Sequence, residues 1–252
     1  MRVLVVTAVT AEADAVSAGL GAAGTGATER ALPGGYVLNA RPSADVLAAG
    51  VGPAAAAAGT ATALALASVS LSPPGSPASP ASPVSSVSRA PYNLVVSAGI
   101  GGGFQPLAPL GSLVVADAIV AADLGAETPG GFLPVDELGF GRTVHLPPPG
   151  PTARIAHLLD AVHAPVLTVS TVTGSAARAG ELTTRHPRAA AEAMEGFGVA
   201  EAAAAYGLPV IEIRAISNAV GPRDRSAWRI GPALDALRYA FQQLSPVFEE
   251  SP

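Results

Sequence analysis

Four short stretches of the 252-residue chain carry the side chains suited to chemistry. The first β-branched run ends in Thr7-Ala8-Val9-Thr10-Ala11-Glu12, which sets a carboxylate at the C-terminal edge of a strand, where open α/β sheets bind ligands. A second run leads into Ser97-Ala98-Gly99-Ile100-Gly101-Gly102-Gly103 and is followed by Gly111-Ser112-Leu113-Val114-Val115-Ala116-Asp117. Met194-Glu195 sits in an Ala-rich segment, and Arg214-Ala215-Ile216-Ser217-Asn218 ends the last strand. Carboxylates and an amide suit acid–base and electrostatic catalysis. Cys is absent, which removes disulfides, thiol catalysis and cysteine metal sites together. His145, His157, His163 and His186 show no ligand spacing and read as surface residues in loops or on helices, so no metal site is expected.

Each feature also has a plainer reading. Glu12 is a first-turn carboxylate at a helix dipole, Glu195 a solvent-facing helical side chain, and Asn218 the cap of a strand-to-loop turn. The glycine stretch is neither a dinucleotide fingerprint, because Phe104 stands where a third glycine belongs, nor a phosphate loop, because Lys is missing. It reads as a tight turn or as a place where backbone approaches a ligand closely.

The elements that must position these residues alternate along the chain. Continuous Val/Ile/Leu runs at 2–7, 45–49, 93–97, 112–116, 166–170 and 210–216 suit strands buried on both faces of a mostly parallel sheet. Helices fit 11–20, 53–70, 152–162, 187–206 and 232–244, with Pro53, Pro187 and Pro232 in first turns that tolerate a missing N–H. The alternation predicts a three-layer α/β/α domain with a mixed, mostly parallel central sheet. Residues 72–88, SPPGSPASPASPVSSVS, have no apolar period and are expected to form a disordered insertion loop within a single domain spanning 1–252. The Gly/Pro-rich stretch 125–149 reads as a second loop able to cover a site.

Composition narrows the function further. Hydrophobic residues make up 49% and charged residues 13%, enough apolar surface for a sizeable core. All 14 basic residues are Arg, none clustered into a stripe, and the net charge is −5, which argues against a nucleic-acid partner. The apolar start meets Glu12 and Asp14 too soon for a signal peptide, and the Ala/Thr-rich 54–69 suits a packed helix better than a membrane span. A soluble cytoplasmic protein with no membrane partner is expected.

The four stretches, in this order, resemble the nucleoside phosphorylase/nucleosidase family, and especially its methylthioadenosine/S-adenosylhomocysteine nucleosidase and futalosine hydrolase branches. The likeness runs from Met1 to about Leu244. It implies the nucleoside phosphorylase-like fold, cleavage of the N-ribosidic bond of a purine nucleoside, no cofactor, and a homodimer or dimer-based homo-oligomer. It implies that Glu12 activates water, that Glu195 accepts hydrogen bonds from ribose hydroxyls with Met194 against the sugar, and that Ala98, Gly99, Thr173, Gly174 and Ser175 line the substrate. Such roles suit a reaction that develops positive charge on ribose and negative charge on the departing base.

Asn218 stands where the adenine-releasing members carry Asp. An amide can donate to O6 of a 6-oxopurine while its carbonyl meets a proton on N7. The stretch from Ser217 to Trp228 resembles the futalosine branch, whose substrate is an inosine-type nucleoside with a 3-carboxyphenyl ketone extension. The likeness puts Trp228 near that extension, unless it anchors the last helix, and Arg223 or Arg225 near its carboxylate. The implied reaction is hydrolysis of futalosine to hypoxanthine and dehypoxanthinyl futalosine, a step in menaquinone synthesis. The alternatives are a methylthioadenosine/S-adenosylhomocysteine-type nucleosidase, a purine nucleoside phosphorylase, and a non-catalytic nucleoside-binding module. The first strand leads to Thr10 and Glu12 with no Arg nearby, which favours water over phosphate as nucleophile.

Overall fold

The computed structural model describes residues 1–21, 28–69 and 92–250. The Pro/Ser tract at 72–88 lies outside the described residues. In chain order the elements are β1 (Val3–Thr7), α1 (Thr10–Gly19), β2 (Thr28–Ala31), β3 (Val37–Ala40), β4 (Ala44–Ala48), α2 (Pro53–Val69), β5 (Leu94–Gly103) and β6 (Leu113–Ala121). They continue with β7 (Gly125–Thr128), β8 (Gly131–Pro134), β9 (Val144–His145), α3 (Pro149–Leu158), β10 (Val162–Thr168), α4 (Ala176–Arg185), β11 (Ala191–Ala193), α5 (Gly196–Ala205), β12 (Val210–Ala219) and α6 (Ile230–Glu250).

Strand periodicity builds the three layers. Side chains alternate between the faces of a strand, so in β1 Leu4 and Val6 face one way and Val3 and Val5 the other. Leu4 and Val6 join Leu64 of α2 and Val199 and Ala203 of α5 in one core cluster. Val3 and Val5 join Val16 of α1, Ile155 of α3 and Leu237 and Phe241 of α6 in a second. Each fully buried aliphatic side chain contributes about 1.5–3 kcal/mol, so the sandwich needs few aromatics. Glycine permits close layers instead: a Cβ on Gly198 of α5 would stand 2.0 Å from the Pro53 carbonyl oxygen of α2.

The ten-stranded sheet runs β11-β10-β6-β12-β5-β1-β4-β3-β2, with β9 on β6. Strands β4, β1, β5 and β12 are parallel to their neighbours in that run, as are β6, β10 and β11 in theirs. The antiparallel joints are β6/β12 and β5/β11 near the centre, with β2, β3 and β9 at the margins. Because β11 pairs with both β10 and β5, five strands close into a ring at one end of the sheet. Among the described residues no helix is long and apolar enough to cross a membrane.

Four expectations need correction. The helix expected over 187–206 is split: Ala191–Ala193 is strand β11, and α5 begins only at Gly196. Alanine's helix preference over other residues is well under 1 kcal/mol per residue, and here pairing to two strands overrides it. Gly99–Gly103 makes no turn but prolongs β5, paired with β12 throughout and with β11 at Gly102 and Gly103. The 125–149 stretch is not structureless, since it holds the β7–β8 hairpin and β9. Helix α4, not anticipated, starts where Ser175 Oγ accepts the Arg178 N–H at 3.2 Å. Of the four histidines His145 departs from a surface reading, being 8% exposed with its Nε2 2.8 Å from Glu201 Oε1, while His157 is exposed.

Candidate active site

Glu12 is the third residue of α1, buried, and its carboxylate turns back into the sheet edge. Oε2 accepts the Ala8 and Val9 N–H groups at 3.0 and 3.2 Å, and Oε1 accepts the Ile100 N–H at 2.8 Å. The plain reading of Glu12 as a helix-start carboxylate therefore holds geometrically, and the same geometry aims it at a cavity. Burial pushes its carboxyl above the ordinary carboxylate value, the Ile100 N–H and Arg214 pull it down, and Glu195 adds to the rise. Gly99 makes this placement possible: a Cβ there would stand 2.6 Å from Glu12 Oε1 and 2.8 Å from Arg214 Nη1.

Glu195 is the N-cap residue of α5, but its side chain does not cap the helix. It accepts instead from the Gly52 N–H at 3.2 Å through Oε1 and from the Met194 N–H at 3.3 Å through Oε2. Oε2 also lies 3.1 Å from Arg214 Nη1. Arg214, on β12, is fully enclosed; its Nε donates to Glu212 Oε1 at 2.8 Å and its Nη2 to Ser97 Oγ at 3.1 Å. Burial alone would lower the guanidinium, but Glu212, Glu195 and Glu12 together hold it above its ordinary value. Burial pushes Glu212 up in turn, against the pull of Arg214. Three buried carboxylates around one cation leave this corner with an excess of acceptor oxygens and negative potential.

Asn218 stands near the end of β12, just past a register shift after Ile216. Its Oδ1 is 2.8 Å from Ser217 Oγ, and its Nδ2 donates to the Ala219 carbonyl at 3.0 Å, leaving one N–H and one lone pair for a ligand. Trp228 is half-buried after the short 3₁₀ turn Arg225–Ala227, with the Arg223 and Arg225 guanidinium carbons 5.4 and 5.8 Å from its ring centre. It precedes α6 and does not anchor its core.

Glu12, Glu195, Met194, Asn218, Thr173 and Trp228 line one cavity of about 470 Å³, with Arg223 at the same wall. Other expected site residues lie elsewhere. Ala98 points into the core beneath α1 and α6, and Gly99 sits behind Glu12 and Arg214. Gly174 and Ser175 are exposed beside the cavity, and Ser175 caps α4. Residues without an expected role enter the site: Arg214 and Glu212 behind the carboxylates, and Glu192, whose oxygens take the Thr173 N–H and Oγ at 2.8 and 2.5 Å. Arg214 carried a signal, because a charged residue amid Val210–Ile216 must be paired if that strand is buried on both faces.

Residues 42–243 match the phosphorylase superfamily. The chain is 56% identical over 254 residues to a futalosine hydrolase of Streptomyces coelicolor, covering 99% of this chain and 97% of that protein. The chain belongs to the futalosine hydrolase family. A second member, from Acidothermus cellulolyticus, is 44% identical over 246 residues, covering 96% of this chain and 89% of the relative. Among solved structures, the futalosine hydrolase of Helicobacter pylori superimposes with a TM-score of 0.73 at 16% identity over 98% of both chains. An S-adenosylhomocysteine nucleosidase of Streptococcus pyogenes gives 0.75 at 16% identity over 100% of this chain and 98% of that one. At such identities the structural likeness establishes the fold, and the family rests on the sequence relatives.

Proposed function

We propose that this futalosine hydrolase family member cleaves the N-ribosidic bond of futalosine with water, releasing hypoxanthine and dehypoxanthinyl futalosine within menaquinone synthesis. The observation that carries the mechanism is that a buried carboxylate, Glu12, and an amide, Asn218, face the same cavity. Glu12 is the general base that takes a proton from the attacking water. Its raised carboxyl brings it closer to the basicity that work requires near neutral pH. Glu195 accepts from the ribose hydroxyls, and the anionic corner it shares with Glu12 stabilises the positive charge that grows on the sugar. Asn218 donates to O6 and meets the proton on N7 with its carbonyl oxygen, so the base leaves neutral; the proton itself comes from elsewhere, since an amide does not supply one.

Water rather than phosphate is the nucleophile because Arg214 is already engaged by Glu195, Glu212 and Ser97. Trp228 and Arg223 give the extension an aromatic face and a cation for its carboxylate. We also propose a homodimer or dimer-based homo-oligomer in the cytoplasm, supported by Val9, Val51, Leu110 and Val172, apolar cavity residues each more than 40% exposed. Light scattering after size exclusion tests that assembly. The function is tested by incubating the purified protein with futalosine, inosine and methylthioadenosine without phosphate. Hypoxanthine from futalosine is the expected product; adenine from methylthioadenosine, or turnover only when phosphate is added, would overturn the reading.

A further inference from the structure

Glu192 has no part in the reaction derived above, yet it is a buried carboxylate on the cavity wall. It belongs to β11, the strand that closes the ring, and it pairs with Gly102 of β5. On the other side of Gly102 stands Asn218 of β12. Residues paired across neighbouring strands send their side chains to the same face. Glu192 and Asn218 therefore flank Gly102 on one face of the sheet, their backbones two strand spacings, about 9–10 Å, apart. Gly102 adds no side chain of its own between them, and a Cβ there would lie 2.9 Å from Val220 Cγ2 and 3.2 Å from Asn218 Nδ2, so the Asn218 amide reaches over Gly102. Both side chains line the same cavity, where the edge of one bound base can meet the two together.

Thr173 sets the chemistry at Glu192. Its N–H donates to Glu192 Oε1 at 2.8 Å and its hydroxyl to Oε2 at 2.5 Å, and each oxygen keeps a further lone pair. Burial holds the carboxyl above its ordinary value, and the two Thr173 donors offset that rise only in part. A 6-oxopurine carries a hydrogen on N1, beside O6, whereas a 6-aminopurine presents a lone pair there. We propose that Glu192 is the specificity-determining residue that accepts the N1–H of the 6-oxopurine, completing with Asn218 a two-sided reading of the base. The assignment rests on the 6-oxopurine substrate proposed above.

The test measures hypoxanthine, 1-methylhypoxanthine and adenine as competitive inhibitors of futalosine cleavage, with the unaltered chain and with Glu192→Gln. A Gln at 192 keeps an oxygen for the Thr173 N–H and turns its NH2 towards the Thr173 hydroxyl and the cavity, placing a donor where the acceptor stood. With the unaltered chain, hypoxanthine should inhibit at least about 10-fold better than either other base. In E192Q the KM for futalosine should rise about 10- to 100-fold with a smaller change in kcat, and the preference for hypoxanthine should vanish. Equal inhibition by hypoxanthine and 1-methylhypoxanthine in the unaltered chain, or an unchanged preference in E192Q, would overturn the assignment. The inhibition series on the unaltered chain stands even if E192Q fails to fold. Failure of the unaltered chain to cleave futalosine would remove the substrate reading and Glu192's role together. Cleavage with indifference at N1 would remove Glu192's role alone.

Discussion

Arg214 Nη1 lies 3.1 Å from Glu195 Oε2, and the two side chains are 1% and 7% exposed. The guanidinium that steadies the carboxylate proposed to bind ribose is thus also a cation set among Glu12, Glu195 and Glu212. Removing one partner of a buried pair leaves uncompensated charge and costs about 3–5 kcal/mol. Arg214→Met should therefore lower the urea midpoint by the equivalent of that loss and abolish turnover. An unchanged midpoint would show that the carboxylates are neutralised by other means.

Glu12→Gln removes the proposed base while keeping the shape of the site. The expected result is a fall in kcat of about 10²–10⁴-fold, the range that general base catalysis supplies, with futalosine binding retained by calorimetry. Full activity in this variant would show that water is activated elsewhere.

The raised carboxyl of Glu12 fixes the sign of the pH dependence. A base works deprotonated, so kcat/KM should fall as pH drops through a value above that of an ordinary carboxylate. A pH–rate profile in which activity persists unchanged down to the ordinary carboxylate range would contradict the role given to Glu12.

Asn218→Asp puts an acceptor-only group opposite the position that reads the 6-substituent. Relative kcat/KM should move towards 6-amino nucleosides by about 10-fold or more, the scale of one buried hydrogen bond to a charged group. Paired assays on inosine-type and adenosine-type substrates measure the shift. An unaltered ratio would mean that Asn218 does not face the base.

Trp228→Ala and Arg223→Ala test the extension. The KM for futalosine should rise by about 3- to 10-fold, the scale of a partly exposed cation–π contact or charge pair, while inosine turnover stays as it was. Equal losses on both substrates would place these side chains at the nucleoside core instead.

The sequence alone determined the layered architecture, because continuous Val/Ile/Leu runs can satisfy themselves only in a sheet covered on both faces, and the N-terminal strand β1 and helices α1, α2 and α6 follow that pattern closely. It also pointed to Glu12, Glu195 and Asn218 through the resemblance of their stretches to nucleosidase motifs, and these three side chains line one cavity. What only the tertiary structure decided lies where alanine and glycine blur the local signal. Ala191 and Ala193 have only methyl groups to report strand over helix, and pairing with β5 and β10 settles it. That pairing frees Glu195 from a helix interior and brings Glu192 across Gly102 from Asn218. The partnership of Arg214 with Ser97 spans 117 positions along the chain, and that with Glu195 spans 19. Such contacts are set by sheet register and by the small volume of Gly99, which no local pattern encodes.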